Sequence, residues 1–149
     1  MAPDHAAQGA RLALVVDDED SIRELIEVTL QLEGYRTLGA CDGPTALALA
    51  AGQRPDVVTL DIMMPGMDGW EVAERLGRDP RTRGVPIVVV SGKPLAELDA
   101  APGRSLASAV LTKPFDFVTF VDVVAEAMRP SLPEQRPAVD DFLRDRARR

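Results

Sequence analysis

The chain has 149 residues, 46% of them apolar, so a single domain can bury roughly 70% of the surface its unfolded form exposes. Its 17 basic and 24 acidic side chains leave a net charge of −7, which argues against a nucleic-acid or anionic-membrane surface. One cysteine, Cys41, excludes an internal disulfide or a thiolate metal cage, and one histidine, His5, argues against a histidine-based metal or acid–base centre.

Along the chain, "LALVV" at 12–16 reads as a short buried strand that runs straight into "DDED". Ile22, Leu25, Ile26 and Leu30 then follow helical spacing, with Ser21 and Glu24 as a capping box and Gly34 as the stop. "YRTLG" is a weaker second strand. "DGPTALALAAG" is a short helix with an acidic cap, Pro44 near its start and Gly52 after its end. "DVVTL" at 56–60 is a buried strand that delivers Asp61, and Asp68 caps a helix carrying Val72 and Leu76. "PIVVV" at 86–90 is a β-branched strand that delivers Ser91. Between 93 and 108, Pro94, Pro102 and Gly103 break up the position of a fourth helix, which should be stunted or mobile. "AVL" at 109–111 is the last strand, ending at Thr112 and Lys113. Phe117, Phe120, Val121, Val124, Ala125 and Met128 mark the clearest helix.

Strands that are continuously apolar and alternate with helices predict a doubly wound α/β fold, a parallel sheet covered on both faces. Residues 11–129 form that domain. Residues 1–10 form a flexible arm, and 130–149 a proline-containing linker with a short amphipathic tail around Val139, Phe142 and Leu143. That tail is either partly solvated or docked on the domain or a partner. No apolar run reaches membrane-spanning length and no signal peptide is visible, so the cytoplasm is the expected compartment.

In an open parallel sheet, ligands bind beyond the carboxyl ends of the strands. Asp17 and Asp18, Asp61, Ser91 and Lys113 all fall at such ends. Crowded carboxylates must hold protons or share a cation, and with no His or Cys ligands the hard ion Mg²⁺ fits best. A carboxylate is also a competent nucleophile toward a phosphoryl group. Lys113 would supply a compensating charge and Ser91 a hydroxyl donor, while Pro65 and Gly66 shape the loop after Asp61.

Together "VVDDED", "LDIMMPGMDG", "VVVSG" and "TKPF" resemble the receiver domain of two-component response regulators, in family order over about residues 11–128. The spacings also fit: 61 − 17 = 44 from the first acid to the nucleophile, and 113 − 91 = 22 from hydroxyl to lysine. The resemblance implies a flavodoxin-like five-stranded sheet of order 2-1-3-4-5, here with a weak fourth helix, and a cis Lys113–Pro114 peptide. It implies that Asp61 is the phospho-acceptor, and that Asp18, Asp61 and the Met63 carbonyl bind Mg²⁺, with Asp17 acting through water. Ser91 and Lys113 would contact the phosphoryl group. The expected function is that of a stand-alone receiver, not an enzyme with a separate substrate. It would take phosphate from a histidine kinase or histidine phosphotransfer protein and signal to a downstream protein, without direct contact to nucleic acid or membrane. Phosphorylation-dependent dimerisation stays open.

Two departures qualify the resemblance. Val110 stands where receivers carry an aromatic, which puts the coupled hydroxyl–aromatic switch in question and favours, as an alternative, an interaction module that works without phosphate. Met63 stands where a water-orienting residue tunes dephosphorylation, so self-dephosphorylation should be slow. The same residue argues against a Mg²⁺-dependent phosphohydrolase of the haloacid-dehalogenase type, which has a second aspartate there.

Overall fold

The computed structural model describes residues 9–130, so most of the expected N-terminal arm and nearly all of the C-terminal linker and tail lie outside the described residues. Five strands, β1 (Leu12–Val16), β2 (Arg36–Ala40), β3 (Val57–Leu60), β4 (Ile87–Ser91) and β5 (Ala109–Thr112), form one sheet in the order β2-β1-β3-β4-β5. Every pairing is parallel. Helices α1 (Asp20–Leu32), α2 (Gly43–Gln53), α3 (Gly69–Arg78), α4 (Leu95–Ala100) and α5 (Phe117–Ala127) connect them. Among the described residues no helix is long and apolar enough to cross a membrane.

Strand side chains alternate between faces, and the core divides accordingly. Leu14, Val16, Val58, Leu60 and Val89 pack against Ala46 and Ala50 of α2, Val72 and Leu76 of α3 and Leu98 of α4. Ala13, Val15, Val57, Val88 and Val90 meet Ile26 and Leu30 of α1 and Phe120 and Val124 of α5. This two-sided cover is why β1, β3 and β4 are apolar at nearly every position.

The helix boundaries show which local signals held. Asp42 accepts a hydrogen bond from the Thr45 amide (2.8 Å), with Pro44 in the first turn of α2, and Asp68 caps α3 through the Glu71 amide (2.9 Å). Gly34 closes α1 at φ +96°. Two expectations fail. Ser21 does not cap α1: the helix starts two residues earlier than that cap would place it, with Glu19 at the N-cap and no side-chain cap bond. Its first turn is set instead by Asp17, whose Oδ1 accepts the Glu19 amide (3.0 Å). Gly52 lies inside α2, which runs on to Gln53 and stops at Arg54 in a left-handed conformation (φ 37°). The Arg54 guanidinium donates to the carbonyls of Arg81 (2.6 Å) and Arg83 (3.3 Å), and these bonds offset the strain of a side chain at positive φ.

The fourth helix is stunted, as its prolines dictate: six residues, then a bend and a single 3₁₀ turn, Arg104–Leu106. Gly103 in that bend lies directly under the indole of Trp70, where an added Cβ would come within 2.9 Å of the ring. Trp70 therefore packs α3 against the shortened segment.

Candidate functional site

The site forms where the parallel ladder runs past the strand ends. Beyond β1 and β3, the Asp17 amide donates to the Ala40 carbonyl (3.1 Å) and the Asp61 amide to the Val16 carbonyl (3.0 Å). Beyond β5, the Lys113 amide donates to the Ser91 carbonyl (2.7 Å). These backbone bonds fix the starting points of the four side chains, so their convergence follows from strand register.

Asp17, Asp18 and Asp61 offer carboxylate oxygens that all lie within 4.8 Å of one another. Asp17 and Asp61 are buried, at 1% and 5% exposure, and Asp18 is exposed. Lys113 Nζ lies 2.9 Å from Asp17 Oδ2 and 3.9 Å from Asp61 Oδ2, so one ammonium serves two buried acids. Burial pushes the Asp61 carboxyl up to about 6, and Asp17 and Asp18 add to that rise. The Met63 amide and Lys113 pull the other way without cancelling it. Three carboxylates against one ammonium leave uncompensated negative charge, and a set made only of oxygens fits a hard divalent cation.

The loop after Asp61 is shaped by close approach. The Met63 amide donates to Asp61 Oδ1 (3.1 Å), and both the Met64 and Gly69 amides donate to the Ile62 carbonyl (3.0 Å each). Gly66 sits at φ +81°, a conformation glycine adopts freely. Met64 is buried, whereas Met63 stands 56% exposed at the rim. Sequence reasoning missed Gly69. A Cβ there would collide with the Asp61 carbonyl oxygen and sit 2.7 Å from Ile62 Cα. Both obstacles are backbone and cannot swing aside. Gly69→Ala should destabilise the protein by about 1–3 kcal/mol in urea denaturation, the usual range for overpacking, and should displace Asp61.

Ser91 is fully buried, and its Oγ accepts the Lys93 amide (3.3 Å). The Lys113–Pro114 peptide is cis, as the resemblance implies. Val110 packs, half-buried, against the core on the α2–α4 side. Arg23, also missed, is largely buried. It donates to the Asp17 carbonyl (3.0 Å) and pairs with Asp20 (2.7 Å), bracing the acidic loop from α1. Its signal was too diffuse to find, since an arginine one turn into an amphipathic helix is ordinarily solvated.

A doubly wound parallel sheet in this order, with an acid cluster faced by a lysine and a buried serine at its carboxyl edge, defines a phospho-receiver class of signalling domain. Comparison with known proteins agrees. The family model "Response regulator receiver domain" matches residues 13–125, and the chain belongs to that family. It is 43% identical over 134 residues to the response regulator PleD of Caulobacter vibrioides, covering 87% of this chain and 27% of PleD. It is 39% identical over 102 residues to the phosphate regulon transcriptional regulatory protein PhoB of Pseudomonas aeruginosa, covering 68% of this chain and 44% of PhoB. The chain thus spans less than half the length of either relative. The structure of the chemotaxis protein CheY4 of Vibrio cholerae superposes with a TM-score of 0.75 at 32% identity, covering 80% of this chain and 99% of CheY4. Receiver domains are signalling modules and not enzymes with a separate substrate; phosphorylation and Mg²⁺ are typical of the family.

Proposed function

We propose that Asp61 accepts a phosphoryl group from a histidine kinase or histidine phosphotransfer protein in the cytoplasm, and that the modified domain signals through contacts with another protein. The observation that carries this reading is the gathering of Asp17, Asp18 and Asp61 within 4.8 Å around the single ammonium of Lys113. In the transfer the donor P–N bond breaks and a P–O bond to Asp61 forms, and the departing imidazole leaves neutral, taking any proton it needs from solvent because the ionised Asp61 has none to give. Asp61 can attack as a carboxylate because it is ionised at neutral pH even with its carboxyl raised to about 6. Lys113 then turns from the acids to the new phosphoryl oxygens, and the Ser91 hydroxyl donates to another. Asp18, Asp61 and the Met63 carbonyl, with Asp17 through water, are the groups that would hold Mg²⁺, which when bound spreads the charge on the transferring oxygens. Ile22, Leu25, Pro114 and Phe117 line an apolar groove beside Lys113 and offer a protein donor a surface next to the acceptor.

The test is incubation with Mg²⁺ and acetyl phosphate, followed by intact-mass measurement. The wild type should gain one phosphoryl group and Asp61→Asn none. A wild type that stays unmodified would favour the phosphate-independent interaction module to which Val110 points.

Met63 bears on the lifetime of the product. Its thioether is a weak acceptor and cannot orient an attacking water. Met63→Asn should speed loss of the phosphoryl group by about tenfold, a small part of what a positioned polar group can contribute. Equal decay of the two phosphoproteins would show that the rim residue does not limit hydrolysis.

A further inference from the structure

We infer that the Thr112 hydroxyl is a positioning group that holds the loop after β4 in its resting arrangement and so withholds Ser91 from an anion on Asp61. The inference rests on the reading of Asp61 as phosphoryl acceptor. Residues 91–93 are held at three points. The Ser91 carbonyl accepts the Lys113 amide (2.7 Å), Ser91 Oγ accepts the Lys93 amide (3.3 Å), and the Lys93 carbonyl accepts Thr112 Oγ1 (2.8 Å). Two of the three bonds come from adjacent residues of β5 and its end, so β5 clamps the turn that carries the serine.

Strand alternation places Thr112 on the same face of β5 as Val110. Neither residue is aromatic, and among the described residues Thr112 Oγ1 is the β5 side-chain group that bonds the loop. The two polar groups of Lys93 are therefore coupled. Its amide engages Ser91 Oγ, while its carbonyl is pinned by Thr112. Carrying the serine hydroxyl toward Asp61 rotates this turn, and the rotation draws the Lys93 carbonyl away from Thr112. A bond made only in the resting arrangement opposes the rearrangement by its own strength. For one ordinary hydrogen bond that corresponds to about a fivefold bias in the equilibrium.

The full chain, with saturating Mg²⁺, is titrated with beryllofluoride by calorimetry. Thr112→Val should bind about fivefold more tightly than the wild type, and Thr112→Ala should shift in the same direction. Thr112→Ser, which keeps the hydroxyl, should match the wild type. A merely structural threonine would lower the urea midpoint in Val and Ala without tightening the anion. Unchanged or weaker binding by both hydroxyl-free variants overturns the inference. Absence of beryllofluoride binding by the wild type overturns the acceptor reading and takes this inference with it.

Discussion

Replacing Lys113 by alanine is expected to destabilise the metal-free protein by about 3 kcal/mol at neutral pH, the lower end of the range for breaking a buried ion pair. The lysine side chain is 20% exposed and its Asp17 partner 2%, so solvent cannot replace the lost ammonium at Asp17. Asp17 would keep the Glu19 amide on Oδ1, but Oδ2 would face Asp18 and Asp61 with no cation between them. Removing the second charge should undo much of the harm: Asp17→Asn together with Lys113→Ala should lose less than the sum of the two single changes. Adding Mg²⁺ should also narrow the gap between Lys113→Ala and the wild type, because a divalent cation supplies positive charge to the same oxygens. Urea denaturation of the four proteins, with and without Mg²⁺, measures all of this. A Lys113→Ala variant as stable as the wild type without metal would show that the acids are not held under mutual repulsion.

The sequence announced this site more openly than it announced the helices around it. Asp61 follows residues 57–60, apolar but for Thr59, and Ser91 follows the apolar run 87–90; a strand buried on both faces is near-continuously apolar, so the polar residue that closes such a run marks its end. Which strand ends lie side by side is a property of topology, and here the order came from the family resemblance. Helix starts were less legible because local signals compete with tertiary ones. Ser21 and Glu24 have the right spacing for a capping box, yet Asp17 sets the first turn because its carboxylate is already fixed beside the Glu19 amide. Periodicity marked Leu25 and Phe117 as buried, but they remain 47% and 39% exposed. They lie at the carboxyl edge, where the sheet ends and the two helices flank a groove instead of a core. Thr112 and Gly69 were illegible for a different reason. One bonds a carbonyl 19 residues earlier and the other is required by a backbone that passes within van der Waals distance, and neither relation leaves a pattern in the chain.

Asp61→Asn is expected to stabilise the metal-free protein at neutral pH while removing most of its response to Mg²⁺. The folded carboxyl titrates at about 6, against an ordinary value of 3.8, so between those limits the folded protein holds a proton that the unfolded chain has released. Stability therefore falls as pH rises through this window and levels off above it, by on the order of 2–3 kcal/mol. Asparagine does not titrate. The variant should match or trail the wild type below about pH 4 and exceed it above about pH 6.5, with the difference growing in between. Acids remote from the cluster shift both proteins alike and drop out of the difference. Mg²⁺ binds the folded state and should raise the wild type at neutral pH more than the variant, which has lost a charged ligand. Urea denaturation across the pH range with a chelator, then with Mg²⁺, separates the two effects. The energy stored at this carboxylate is what a bound cation releases, so a site that is costly to fold empty is one that responds to its ion. If the difference between wild type and variant stays flat with pH, Asp61 does not carry the excess charge, and the demand for a cation at this edge of the sheet loses its physical basis.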